Sequence, residues 1–203
     1  MTVKVYVEGG GDHNKALQIR CHRGFSEFFR RAGLERPHAP SVVVCGGRQR
    51  AYHDFQHAHG IASPGNLPIL LVDSEAPIAE TDPWEHVRKR PGDGWVRPYG
   101  ATEHQLHFMV QAMEAWFYAD QEELQRYFRQ GFRRAALSQR QDIENIPKAD
   151  LLPGLELATK HSEKGEYSKG GHSFEILALI NPARVRAASK HADRLLVVLE
   201  RVC

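Results

Sequence analysis

Two hydrophobic periods alternate over the first half of the chain. From Val3 to Val7 apolar and polar residues alternate with a period of two, which predicts a strand, and the chain then enters Glu8-Gly9-Gly10-Gly11-Asp12. Between His13 and Gly33 the residues Leu17, Cys21, Phe25, Phe28, Phe29 and Ala32 recur every three or four positions. That spacing predicts a helix with one buried stripe, and Gly33 supplies its stop. Ser41 to Cys45 reads as a second short strand, ended by Gly46-Gly47. Arg48 to His59 reads as a second helix with Ala51, Phe55 and Ala58 on one side, and Leu67 to Asp73 as a third strand after the turn Pro64-Gly65-Asn66. Strand–helix–strand–helix–strand predicts an α/β fold with a parallel sheet covered by helices.

Further along, Pro77 to Gly100 is rich in Pro, Gly and charge and reads as a long loop or lid. Gln105 to Val110 is a candidate fourth strand, and Met113 to Phe128 a helix with Trp116, Phe117, Leu124 and Phe128 inward. The last third is helical in pattern. One segment carries Leu151, Leu152, Leu155 and Leu157, interrupted at Pro153-Gly154; another carries Phe174, Leu177 and Ile180. Asn181-Pro182 is an N-cap followed by a proline in the first helical position, and Leu195 to Val202 forms the last apolar helix. No internal repeat or low-complexity tract is present. The expected division is 1–120 for the sheet domain and 121–203 for a helical extension, packed as one compact unit.

Composition narrows this picture only modestly. The 203 residues are 41% hydrophobic and 26% charged, with 27 basic against 25 acidic residues and a net charge of +2, so bulk charge neither requires nor excludes nucleic acid. Basic clusters at Arg88-Lys89-Arg90 and Arg133-Arg134 suit solvated faces or a local anion surface. Cys21, Cys45 and Cys203 are far apart and form neither a disulfide framework nor a zinc spacing, which fits a reducing cytoplasm. No apolar run approaches the roughly 20 residues that span a bilayer, and the chain enters its first strand without a charged-then-apolar leader. A cytoplasmic protein without membrane association is the expectation.

The candidate chemistry lies in two acidic strand ends. Glu8 follows the first strand, and Asp73 with Glu75 follows the third. Ligands of parallel sheets bind beyond the carboxyl ends of strands. Charge at a buried rim is costly unless compensated, and Mg²⁺ or Mn²⁺, held by hard carboxylate oxygens, is one solution. Asp73 and Glu75 stand at i and i+2, so in an extended segment they share a face that Glu8 can reach from a neighbouring strand. The structural alternative is that these acids cap helices. Glu114, at the start of a predicted helix, is a further candidate metal ligand or a simple first-turn acid, and Asp120 reads as a cap for the next helix. Lys169 and His172, in Ser168-Lys169-Gly170-Gly171-His172-Ser173, read as a glycine loop before a helix. There Lys169 could neutralise a phosphate and His172 donate a proton to a leaving oxygen, the alternative for His172 being surface exposure. Arg48, after Gly46-Gly47, is a candidate phosphate contact. The Gly9-Gly10-Gly11 turn lacks the G-K-[ST] ending of a P-loop, and the pairs His104/His107 and His57/His59 lack further zinc ligands.

Glu8 after the first strand and the Asp73-Ser74-Glu75 segment after the third resemble the toprim fold of topoisomerases, primases and OLD-type nucleases, which carries a glutamate and a D-x-D at these places. Glu75 stands for the second aspartate, which keeps the charge and lengthens one ligand. The resemblance covers roughly residues 1–120. Over most of the chain, Val7-Glu8-Gly9-Gly10-Gly11-Asp12, Met113-Glu114-Ala115-Trp116-Phe117-Tyr118-Ala119-Asp120 and Lys169-Gly170-Gly171-His172-Ser173-Phe174-Glu175-Ile176 are similar to a bacterial toprim-like family often encoded beside an AAA-type ATPase, as in OLD-type phage-defence systems.

That resemblance implies a toprim-like Rossmannoid sheet with a helical C-terminal extension. It also implies a Mg²⁺-dependent nuclease, with DNA ahead of RNA as substrate, and an ATPase partner; a homodimer is a further candidate assembly. In this scheme Glu8, Asp73, Glu75 and Glu114 hold metal, while Arg48, Lys169 and His172 serve the phosphate. The competing readings are a non-catalytic regulatory or assembly subunit that keeps the toprim shape, and a small-nucleotide phosphotransferase.

Overall fold

A computed structural model describes residues 2–11, 13–35, 37 and 39–203, so Asp12 of the first acidic segment lies outside the described residues. Four parallel strands form one sheet in the order β2-β1-β3-β4: β1 Thr2–Val7, β2 Ser41–Val44, β3 Asn66–Asp73 and β4 Leu106–Met109. Val7 stands opposite Val44 on one side and Leu71 on the other, and Asp73 stands opposite Met109. The chain winds outward in one direction from β1 to β2 and in the other from β3 to β4. The β1/β3 boundary is therefore the switch point of the sheet, where the following loops diverge and leave a crevice.

The strand alternation divides the core. Val3, Val5, Val7, Ile69 and Leu71 point to one face, and Tyr6, Leu70 and Val72 to the other. On the first face lie α1 (Lys15–Arg31), contributing Phe25, Phe28 and Phe29, and the helices that follow β4. On the second lie α2 (Arg48–Gly60) and α3 (Pro83–Lys89), contributing Tyr52, Phe55, Trp84 and Val87. The expected α/β architecture of a parallel sheet flanked by helices, with further helices at the C-terminal end, is what the chain forms. No described helix is long and apolar enough to cross a membrane.

Several elements differ from the sequence expectation for identifiable reasons. The segment Pro77–Gly100 is not all loop, because Asp82 caps α3 by accepting from the Trp84 N–H at 3.0 Å and Pro83 opens it. The helix expected over Met113–Phe128 is two, α4 (Glu114–Tyr118) and α5 (Gln121–Phe128). Asp120 breaks it: its carboxylate accepts from the Glu123 and Asn181 N–H groups at 3.3 and 2.8 Å and pairs with Arg184 at 3.0 Å, so it caps α5 as expected and also anchors α8 (Pro182–Ala188). Pro153 does not interrupt α6 (Lys148–Thr159), where Leu151 and Leu155 are buried on either side of it. Gly154 leaves space for the Tyr118 hydroxyl, which donates to the Leu151 carbonyl at 2.7 Å. The Lys169-Gly170-Gly171-His172 stretch is the first turn of α7 (Lys169–Leu179), not a loop before it. The last helix, α9 (Lys190–Val202), starts a turn earlier than its apolar run, capped by Ser189.

The packing of α7 on α1 sets one wall of the crevice. Gly24, in the middle of α1, lets the Phe174 backbone approach so closely that a Cβ at 24 would stand 2.8 Å from the Phe174 carbonyl oxygen. An exposed mid-helix Gly→Ala change usually stabilises by about 1 kcal/mol. Here Gly24→Ala must push the two helices apart, and the expected outcome is a loss of about 1–3 kcal/mol in urea denaturation. A gain in stability would show that the contact is not tight.

Candidate functional site

The acids predicted from the strand ends converge. β1 runs straight into Glu8, whose N–H continues the ladder to the Leu71 carbonyl at 3.2 Å. Asp73 is the last residue of β3, and the chain then turns sharply so that Glu75 faces back. One carboxylate oxygen from each of Glu8, Asp73 and Glu75 lies within 4.8 Å of the others. Glu75 adopts φ +68°, a left-handed conformation that costs a non-glycine residue about 1–3 kcal/mol, held by its N–H on the Gln111 carbonyl at 2.8 Å. The glycine turn after Glu8 is equally constrained. Gly9 and Gly46 exchange backbone hydrogen bonds at 2.8 and 3.0 Å, and a Cβ on Gly10 would stand 2.6 Å from the Val44 side chain.

These acids border a cleft of about 230 Å³ at the β1/β3 switch point, lined by Glu8, Asp73, Glu114, Lys169, Met113 and Phe174 among others. Glu114, at the start of α4, is buried and lies outside the close trio. Its Oε1 pairs with Lys169 Nζ at 3.3 Å and accepts from the Tyr167 hydroxyl at 3.3 Å. Lys169 thus stands over the cleft from the first turn of α7; burial opposes its charge, but Glu114 and Asp73 outweigh this and raise its pKa.

Electrostatics mark Asp73 and Glu8 as under-compensated. Burial, then the charges of Glu8 and Glu114, push the Asp73 pKa well above the ordinary carboxylate range, although the Met113 N–H donates to its Oδ1 at 2.8 Å. Burial also raises the Glu8 pKa; Arg48 counters this and Glu75 adds to it. Three carboxylates with oxygens converging on a shared point, two of them holding protons tightly through burial and then neighbouring charge, suit a hard divalent cation in donor type and charge.

The remaining predicted residues are placed differently. Arg48 contacts Glu8 Oε2 at 3.3 Å and the Asp73 carbonyl, but its main partner is the buried carboxylate of Asp93, gripped through two nitrogens at 2.8 and 2.7 Å. Its guanidinium also lies 4.7 Å from the centre of the Trp95 ring. It positions Glu8 and the 74–100 segment from behind the cleft. His172 does not line the cleft. Its Nδ1 accepts from the Ser168 N–H at 3.0 Å, its ring packs among Tyr127, Phe128 and Tyr167, and burial lowers its pKa.

Sequence reasoning missed four participants, Asp93 among them. Lys148, the first residue of α6, pairs with Glu75, and Arg90 stands 3.6 Å from the same carboxylate and 2.9 Å from Asp93. Gln111 links this region to α6 by accepting from the Lys148 N–H at 3.0 Å. Arg90 was visible as part of a basic cluster; nothing local distinguishes Lys148 or Asp93.

The chain belongs to a family described as a domain of unknown function (DUF4276), whose model matches residues 7–200. No curated protein and no solved structure gives a significant match.

Because Asp73 and Glu8 bind protons more tightly folded than unfolded, they favour the fold below the ordinary carboxylate pKa. That contribution is lost as pH rises through the raised values. Asp73→Asn keeps an acceptor for the Met113 N–H and removes the repulsion. In EDTA at pH 7 it is expected to melt at least about 2 °C above the unsubstituted protein, with the gap closing toward pH 4. A variant less stable by the same margin at both pH values would contradict this electrostatic picture.

Proposed function

We propose that this member of the DUF4276 family is a divalent-metal-dependent phosphodiesterase of toprim-like type that acts on nucleic acid. The observation that carries the reading is the convergence of Glu8, Asp73 and Glu75, within 4.8 Å, at the switch point of a parallel sheet. Glu8, Asp73 and Glu75 would hold Mg²⁺ or Mn²⁺, with Glu114 in reserve at the cleft wall. Such an ion, when bound, polarises a phosphate oxygen and lowers the pKa of bound water.

The chain's own groups do the rest. Glu114 and Tyr167 fix the approach of Lys169, whose ammonium faces the cleft and offsets negative charge on a phosphate entering it. Arg48, clamped by Asp93, orients Glu8 and keeps the 74–100 segment against the strand ends. With His172 engaged outside the cleft, proton delivery to a leaving oxygen falls to solvent or Lys169. The place of action is the cytoplasm, in keeping with cysteines 21, 45 and 203, all unpaired. An AAA-type ATPase partner and a role in phage defence are supported by the sequence resemblance.

One observation favours a second reading, a non-catalytic subunit docked on an ATPase. Glu75 already has two cations, Lys148 and Arg90, so protein groups neutralise part of the trio. The two readings separate by mutation. With Mn²⁺ and the partner ATPase present, Asp73→Ala is expected to lower cleavage of DNA or RNA about 10²–10³-fold and Lys169→Met at least about tenfold. His172→Gln should stay within about threefold. Unchanged cellular activity in a folded Asp73→Ala variant would leave the docking subunit as the reading.

A further inference from the structure

Behind Phe174 the surface opens into a second depression of about 350 Å³, lined by Arg20, Arg23, Lys164, Tyr127 and Glu175. Phe174 lines both this groove and the acidic cleft, so the two are neighbours separated by one side chain. They are also tied through the backbone: Arg20 donates to the Gly171 carbonyl at 3.4 Å, and Lys169 and Gly170, two residues and one residue before it, line the cleft. Along α1 the residue facing the cleft is Leu17, and those facing the groove are Arg20 and Arg23. Six residues separate Leu17 from Arg23, a rise of about 9 Å.

Many surface arginines, among them Arg30, Arg88, Arg126, Arg129, Arg184 and Arg186, are held in ion pairs. Others, such as Arg31, Arg133 and Arg140, stand singly; what sets the groove apart is that its cations share one concave surface. Among the described residues, Arg20, Arg23 and Lys164 form no ion pair. The groove's one acid, Glu175, accepts from the Tyr127 hydroxyl at 2.6 Å and keeps its charge, so three cations face one carboxylate. Lys164 is held 3.9 Å above the Tyr127 ring, so its ammonium is steered to the groove rather than left to sample solvent. Three cations outside any ion pair, gathered in one concave surface and partly pre-positioned, suit a polyanion.

We infer that this groove binds backbone phosphates of the nucleic-acid strand whose scissile phosphate enters the acidic cleft. The inference deepens the phosphodiesterase reading and rests on it for the identity of the strand. At about 3.4 Å of axis per nucleotide, the rise of about 9 Å along α1 corresponds to two or three nucleotides from the cleft. Phosphate contacts of this kind fix register without reading sequence.

The test is fluorescence anisotropy of the full chain with a labelled 20-nucleotide single-stranded oligodeoxynucleotide of mixed sequence, in EDTA so that binding is read without cleavage. The triple variant Arg20→Gln/Arg23→Gln/Lys164→Gln is compared with Arg50→Gln/Arg88→Gln/Lys89→Gln, which removes equal charge from the α2–α3 face. Lys164→Gln alone, in the loop before α7, guards against misfolding of the triple. The groove variant is expected to bind at least tenfold more weakly at about 100 mM salt, with a log–log salt slope shallower by about 2, and Lys164→Gln to fall between. The α2–α3 variant should stay within about threefold. Equal weakening of both triple variants, no weakening of either, or no binding by the unsubstituted protein would overturn the inference. Groove-dependent binding without Mn²⁺-dependent cleavage would uphold the groove and remove the hydrolytic reading; cleavage with unaltered binding by the groove variant would do the reverse.

Discussion

Like charges gathered at the ends of two neighbouring parallel strands are the constraint that organises this molecule. Parallel pairing of β1 with β3 brings the two strand ends together, with Glu8 one position beyond the Val7–Leu71 pair and Asp73 two beyond it, and the turn after β3 returns Glu75 to them. At a half-buried rim such a group costs free energy unless charge or hydrogen bonding is brought to it. Much of the rest of the fold supplies that compensation. Arg48 comes from the start of α2, Arg90 from the end of α3, Lys148 from the start of α6 and Lys169 from the start of α7. Four segments distant in sequence thus send a cation to the same strand ends.

The network is graded. Behind the trio, Asp93 joins Arg48 and Arg90 into an alternating chain of charges that runs from Glu8 to Glu75 and on to Lys148. This side is structural: its ion pairs are half-buried around the buried carboxylate of Asp93 and hold the 74–100 segment in place. In front, only Lys169 reaches over the cleft, and Asp73 has no cationic partner within ion-pair distance among the described residues. The imbalance leaves the carboxylates of the cleft short of positive charge, and the left-handed backbone at Glu75 is a cost accepted where its carboxylate is turned back to the strand ends.

The strand ends were legible because each is local: the period-two run of β1 and the continuous apolar run of β3 each stop in an acid, and the alternation of strands with helices states a parallel sheet, though not the order of its strands. Asp120 and Asn181 were legible as caps for the same reason. The seven residues of α3 were hidden by their Pro- and Gly-rich surroundings, although Asp82-Pro83 carries the same cap-and-proline signal as Asn181-Pro182. Lys148 and Asp93 could not be read, since their roles depend on chain segments 73 and 45 residues away. His172 misled for a subtler reason. Both residues lie in the first turn of α7, but their partners draw them apart: Lys169 reaches Glu114 over the cleft, while the His172 ring is held by the Ser168 N–H and the aromatic cluster around Phe128.

The central claim, that the β1/β3 switch point is a hard-cation site, is tested most directly by anomalous diffraction from crystals soaked in Mn²⁺. The account predicts one strong peak about 2.0–2.6 Å from carboxylate oxygens of Asp73 and at least one of Glu8 and Glu75, absent in Asp73→Asn crystals. A cleft without a peak at millimolar Mn²⁺, with Glu75 still held by Lys148 and Arg90, would contradict it.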